Sequence, residues 1–142
     1  MSNTLFQKND DLQRVNILLI DDAKPLLMIL GTALRNCGHT VFAAESGMAG
    51  MQLYELNPID VVVCDLAMDD MDGWEVSKAV MDSCKKRSVT KTPFIMLTGY
   101  TEEMELCTNL EDRGVDRVVN KPVDIKGLIK LVEELAGFEA DK

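Results

Sequence analysis

The sequence predicts an α/β domain: a parallel sheet of five strands with helices on both faces. Three observations carry that prediction. Short apolar runs alternate with helical patterns five times along the chain. The central runs are almost continuously apolar rather than alternating, as strands buried on both faces must be. Turn formers separate the segments, notably Gly38, Pro58, Gly114 and the Asn120-Lys121-Pro122 triplet.

Taken in order, VNILLI (15–20) is the first strand and runs into Asp21-Asp22. Pro25 opens the first helix, in the first turn where its missing N–H costs least. Leu26, Leu27, Ile29, Leu30, Ala33, Leu34 and Cys37 follow helical spacing toward a stop at Gly38. HTVFAA (39–44) is the second strand. SGMAGMQLYEL (46–56) is a second helix with Ala49, Leu53 and Leu56 on one face, weakened by its glycines. IDVVVCD (59–65) is the third strand. A third helix covers about 73–86 with Val76, Val80 and Cys84 inward, and KKRSVTKT (85–92) reads as a basic, polar loop. PFIMLT (93–98) is the fourth strand. A fourth helix at about 102–112 carries Leu106 and Leu110, and VDRVV (115–119) is the fifth strand. IKGLIKLVEEL (125–135) is the last helix, with Leu128, Leu131, Val132 and Leu135 on one face. The first, third and fourth strands are the most hydrophobic and are expected at the centre. Residues 1–14 read as a polar tail, 15–137 as one domain and 138–142 as a second tail.

Bulk properties narrow the function. A chain of 142 residues suits one domain with a sizeable core. Its net charge of −9 argues against nonspecific nucleic-acid binding, which needs Lys and Arg to neutralise phosphates. No run is long enough to span a bilayer, and the polar start lacks the apolar core of a signal peptide, so a cytoplasmic protein is expected. Cys37, Cys64, Cys84 and Cys107 form no C-x-x-C pair and the only histidine is His39, so metal-finger spacing is absent. The thiols are expected reduced and mostly buried, with Cys64 in the core. His39 is expected at the surface, the methionines mostly in the core, and Trp74 partly exposed.

The chemistry lies where the strands end. In open α/β sheets, ligands sit beyond the carboxyl ends of the strands. The first strand delivers Asp21 and Asp22 there, the third Asp65, the fourth Thr98 and the fifth Lys121. Two like charges about 4 Å apart repel by roughly 4 kcal/mol at an effective dielectric near 20. Three clustered carboxylates therefore need counter-charge beyond one lysine. A divalent cation supplies it, and oxygen-only ligands in a partly open site favour Mg2+ or Mn2+. A carboxylate beside such an ion and a lysine is placed to attack a phosphoryl group, and aspartyl phosphates are known covalent intermediates. The plainer alternatives are that Asp21-Asp22 caps a helix, that Lys121-Pro122 is a simple turn, and that Thr98 merely ends a strand. Asp69, Asp70 and Asp72 are expected as loop and capping residues rather than ligands.

In ILLIDDA (17–23), VVVCDLAMDDMDG (61–73), FIMLTG (94–99) and VVNKPV (118–123), the chain resembles receiver domains of bacterial two-component response regulators. Each motif alone recurs by chance; their order and placement after four different strands make the combination specific. The resemblance implies a stand-alone receiver with a flavodoxin-like, doubly wound five-stranded sheet in the order 2-1-3-4-5. It implies Asp65 as phosphoacceptor, Mg2+ held by Asp21, Asp22, Asp65 and the backbone carbonyl of Ala67, Thr98 as switch hydroxyl, and Lys121 as partner of Asp65 and then of the phosphoryl group. It also implies a cis Lys121–Pro122 bond. The phosphoryl donor would be a histidine kinase or a histidine phosphotransfer protein. Output would be protein–protein contact through the fourth helix, fifth strand and last helix, where Glu102, Glu103, Glu105 and Glu111 gather, from a monomer or weak homodimer. No nucleic acid, membrane or separate turnover substrate is expected.

Three positions depart from the family pattern. Asp69 stands where many receivers carry proline. Val118 stands where an aromatic residue often serves as a rotamer switch, so signal relay is expected to differ. Tyr100, two past Thr98, is expected to overhang the site and slow dephosphorylation. Rival functions fare worse. A receiver belonging to a hybrid kinase, or a pseudo-receiver scaffold, would use the same fold, although the full set of five site residues opposes the scaffold. A phosphatase of the haloacid-dehalogenase type needs a second Asp two residues past the nucleophile, where this chain has Ala67. A flavin carrier would find its phosphate repelled by Asp21-Asp22.

Overall fold

A computed structural model of the chain describes residues 14–99 and 109–137. Five strands form one parallel sheet: β1 Asn16–Ile20, β2 Thr40–Ala44, β3 Val61–Asp65, β4 Phe94–Thr98 and β5 Arg117–Asn120. Their order is β2-β1-β3-β4-β5, the flavodoxin-like, doubly wound arrangement. The strands expected at the centre are the three interior ones. The described helices are α1 Lys24–Asn36, α2 Gly47–Leu56, α3 Gly73–Arg87 and α4 Ile125–Leu135. None is long and apolar enough to cross a membrane. Most of the helix expected at 102–112 lies outside the described residues, as do Tyr100 and Cys107; residues 110–114 form turns that close at Gly114 with φ of 88°.

Strand alternation divides the core in two. Odd-numbered Ile17, Leu19, Val61, Val63, Ile95 and Leu97 face α1 and α4, packing with Leu27, Leu30, Leu34, Leu128 and Val132. Even-numbered Leu18, Ile20, Val62, Cys64, Phe94 and Met96 face α2 and α3, packing with Tyr54, Val76, Val80 and Cys84. Every residue of β3 and β4 is buried, which explains why their sequences show no polar alternation.

The packing corrects several expectations. In α1 the buried stripe is Leu27, Leu30, Gly31 and Leu34; Ile29 falls off that stripe and is exposed, while Cys37 lies past the helix end and is exposed too. In α2 the buried face is Gly47, Gly50 and Tyr54, and Leu56 is 79% exposed. A Cβ on Gly50 would collide with the Ile20 side chain, and one on Gly47 would lie 2.6 Å from Met71 Cβ. The glycines that weaken this helix by propensity are thus its contact surface. Helix α3 ends at Arg87, one residue past the end expected for it at 86, so the basic stretch expected as a loop at 85–92 begins inside the helix. Its start is fixed by a capping box between Asp72 and Glu75, and three basic residues in the last turn oppose the carbonyl end of the helix dipole. Met28 and Met48 are exposed rather than core.

His39 is buried, not at the surface. Its Nδ1 accepts the Val15 N–H at 3.2 Å, which leaves Nε2 to donate to Glu133 Oε2 at 2.8 Å. The imidazole therefore ties α4 to the starts of β1 and β2.

Candidate functional site

Register builds the acidic rim. Ile17 lies opposite Val61 and Ile20 opposite Cys64, so one step further sets Asp21 beside Asp65 on the odd-numbered side. Asp21 is fully buried, Asp65 is 5% exposed and Asp22 is open to solvent. One carboxylate oxygen from each lies within 4.8 Å of the others. Asp21 Oδ1 accepts the Ala23 N–H at 2.8 Å, which turns the chain into α1. The plain capping alternative fails, because the N-cap of α1 is Ala23 and no side chain caps it.

Lys121 arrives from the far side. Its N–H donates to the Thr98 carbonyl at 2.9 Å, and its bond to Pro122 is cis. Its Nζ sits 2.9 Å from Asp65 Oδ1 and 3.2 Å from Asp21 Oδ2. Thr98, buried at the end of β4, pairs with Asn120, the residue before Lys121. The structure thus brings Asp21, Asp22, Asp65, Thr98 and Lys121 to one edge, with Ala67 two residues beyond Asp65.

The charges do not cancel: three carboxylates face one ammonium. Burial, with the charges of Asp21 and Asp22, holds the Asp65 carboxyl above its usual range despite the hydrogen bond from Lys121. Burial opposes the charge on Lys121, yet its hydrogen bond to Asp65 and the charges of Asp21 and Asp65 raise it above 10.5. Asp21 Oδ2 is buried without a hydrogen-bond partner; Lys121 Nζ approaches it as an ion-pair contact outside hydrogen-bond geometry. An all-oxygen donor set with net negative charge and one unbonded buried oxygen fits a hard divalent cation.

The loop after Asp65 is fastened at two points. Asp70 accepts the N–H groups of Gly47 at 3.1 Å and Met48 at 2.9 Å, capping α2 from across the fold, and these bonds hold its carboxyl below its usual range. Asp72 caps α3. Asp69 is exposed. A Cβ on Gly73 would collide with Met96 Sδ and lie 2.9 Å from the Asp65 carbonyl oxygen, so only glycine lets α3 begin against the backbone of Asp65. Sequence reasoning missed the reach of Asp70 and the steric need at Gly73. A poor helix former directly after a capping Asp was the available signal for Gly73; no local signal existed for Asp70. Val118 is half-buried against the even-numbered core, opposite Met96. Trp74 is half-buried, with the Arg113 guanidinium 3.6 Å above its ring. Cys64 lies in the core, where burial pushes its thiol well up.

The family model of the response regulator receiver domain matches residues 17–133. Among curated proteins, the chain is 30% identical over 119 residues to the transcriptional regulatory protein GlrR of Escherichia coli, covering 84% of this chain and 26% of that protein. It is 28% identical over 122 residues to the sensor histidine kinase GacS of Pseudomonas protegens, covering 86% of this chain and 13% of that one. The chain therefore spans only a minor part of these relatives. The solved receiver domain of Francisella response regulator 1452 superposes with a TM-score of 0.71 at 26% identity, covering 90% of this chain and 99% of that one. Fold, acidic edge and family match agree: the chain belongs to the response regulator receiver domain family of two-component signalling.

Proposed function

We propose that the chain is a phosphoacceptor module of a two-component system or phosphorelay, with its receiver unit at 15–137 and Asp65 as the accepting residue. The observation that carries this reading is the Lys121 ammonium held between Asp65 and Asp21 in a cluster that stays net negative. A carboxylate oxygen of Asp65 forms the new O–P bond as the P–N bond of a phosphohistidine breaks, and the leaving electron pair stays on the imidazole nitrogen. Lys121, already against Asp65, follows the charge onto the phosphoryl oxygens, and the Thr98 hydroxyl donates to one of them. Asp21, Asp22, Asp65 and the Ala67 carbonyl would hold Mg2+ or Mn2+, which supplies charge neutralisation at the transferring group.

The donor is a histidine kinase or a histidine phosphotransfer protein. Met28 and Ile29, exposed on α1 a few residues past Asp22, offer such a partner an apolar foothold. Output is protein–protein contact, to which β5 and α4 supply the described surface. A second reading, the receiver portion of a hybrid kinase, is favoured by the similarity to GacS. The test of the chemistry is incubation with acetyl phosphate and Mg2+, read by intact mass. One phosphoryl addition, lost in Asp65→Asn and blocked by EDTA, supports the proposal; an addition that survives Asp65→Asn sinks it.

A further inference from the structure

Asp70 lies outside the cluster of carboxylates at the acidic edge, yet it is bonded across the fold. Its carboxylate accepts the Gly47 N–H at 3.1 Å and the Met48 N–H at 2.9 Å. Helix α2 has a cap of its own: Ser46 Oγ accepts the Ala49 N–H at 3.1 Å. An exposed first-turn N–H such as that of Met48 is otherwise met by water. The two bonds therefore do more for the loop that carries Asp70 than for the helix. The Met48 N–H, joined by that of Gly47, holds the carboxyl below its usual range, so the tie is charged at neutral pH.

That loop carries Ala67, three residues before Asp70 and two after Asp65. Its base is closed where the Gly73 N–H donates to the Leu66 carbonyl at 2.8 Å. Its crest is tied by Asp70 to the start of α2, and that start leads straight back to the acidic edge. The Asp21 N–H donates to the Ala44 carbonyl at 3.1 Å, and Ala44 ends β2 three residues before Gly47. A Cβ on Gly47 would lie 2.6 Å from Met71 Cβ, so helix and loop approach closely here. The bonds complete a circuit from Asp21 through Ala44 and Gly47 to Asp70, and along the loop to Ala67 and Asp65. Pairing of β1 with β3 joins the two ends of that circuit within the sheet; Asp70 joins them a second time, outside it.

We propose that Asp70 is a positioning residue for the divalent cation: from outside the ligand set it fixes the Ala67 segment relative to Asp21 and Asp22, and so sets metal affinity. The inference rests on the phosphoacceptor reading above and extends it to a further residue. A ligand group held in place beforehand loses less freedom on binding, and outer partners of this kind typically change metal affinity about 10–100-fold. Asp70 acts through three residues of loop, so the lower end, about tenfold, is expected.

The test is calorimetric titration of the full chain with Mg2+, well below its melting temperature. Asp70→Ala should bind about tenfold more weakly than the parent. Asp69→Ala removes an equal charge from the same exposed loop but leaves the tie, and should stay within about twofold of the parent. Asp70→Asn, which keeps one accepting oxygen, should fall between those two variants. In acetyl phosphate labelling read by intact mass, Asp70→Ala should need about tenfold more Mg2+ for half-maximal rate and still reach the parent's plateau; a merely structural role would lower the plateau instead. Linkage adds a readout free of activity. Whatever factor Asp70 contributes to Mg2+ affinity, Mg2+ returns to the tie, so Mg2+ should slow amide hydrogen exchange at Gly47 and Met48 in the parent and not in Asp70→Ala. Circular dichroism checks that the variants fold, and the exchange measurement on the parent decides the matter where one does not: unchanged protection at both amides overturns the proposal. Parent-like affinity in Asp70→Ala, or equal weakening in Asp69→Ala and Asp70→Ala, overturns it and leaves the phosphoacceptor reading standing. A parent that takes up no Mg2+ overturns both.

Discussion

Replacing Lys121 with methionine keeps most of the side-chain volume and removes one charge from the acidic edge. The ammonium lies 2.9 Å from Asp65 and 3.2 Å from Asp21. At an effective dielectric near 20 each contact is worth roughly 5 kcal/mol before desolvation. Removing it leaves carboxylates whose oxygens sit within 4.8 Å of one another, where each pair repels by roughly 3.5 kcal/mol on the same scale. Asp65 escapes part of that by taking a proton. Breaking a buried pair from one side costs about 3–5 kcal/mol, and the Lys121 side chain is 27% exposed, so we expect about 2–3 kcal/mol in EDTA. For a domain of this size, that is a fall of roughly 6–12 °C in Tm. Mg2+ then discriminates between explanations. A metal held as proposed would compete with the lysine for the same oxygens, so the variant should gain more from Mg2+ than the parent, whose gain at ten times its Kd would be about 1.4 kcal/mol. The assay is thermal unfolding of both proteins in EDTA and across a Mg2+ series. A variant as stable as the parent in EDTA, or equal Mg2+ shifts in the two, would refute the electrostatic account.

Other outcomes follow from the same geometry. In metal-free protein Asp65→Asn should be stabilising at pH 7: the folded carboxyl titrates above its ordinary 3.8, so the favourable balance holds below that value and is lost as pH rises through the folded one. Urea melts in EDTA should show the gap between variant and parent closing below pH 4. Gly50→Ala should cost about 1–3 kcal/mol in overpacking against Ile20, more than the ~0.8–1 kcal/mol of helix propensity it gains; a stabilised variant in urea melts would contradict the packing. Asp72→Ala removes the side-chain half of the α3 capping box, leaving the backbone N–H of residue 72 to donate to Glu75, and should cost about 1 kcal/mol by the same measurement. The sequence expectation that Tyr100, which lies outside the described residues, slows dephosphorylation predicts that Tyr100→Ala speeds loss of the phosphoryl group, followed by intact mass over time; an unchanged rate refutes that expectation.

What the sequence made legible was whatever is local or periodic. Val61 to Asp65 announces a strand buried on both faces by composition alone, and the strand ends name the acidic residues and the lysine. The gathering of Asp21, Asp22, Asp65 and Lys121 at one edge was therefore readable before its geometry was known. The unread parts depend on contacts remote in the chain. His39 meets Glu133 94 residues away, and Asp70 caps a helix 23 residues earlier. The Gly50 face of α2 was misassigned because spacing favours Leu53 and Leu56, whereas the fit against Ile20 demands the absence of a side chain. Exposed Leu56 and Met48 escaped because apolar residues at helical spacing are ordinarily core.

The odd–even division of the strands makes the chemistry depend on counting. Deleting a single residue between Val61 and Val63 would rotate everything downstream by half a pleat. Cys64 would swing to the opposite face, into the place of Val63, and Asp65 would be driven among Val76, Val80 and Phe94. A frame error of one residue in β3 thus puts a carboxylate where the core holds a thiol.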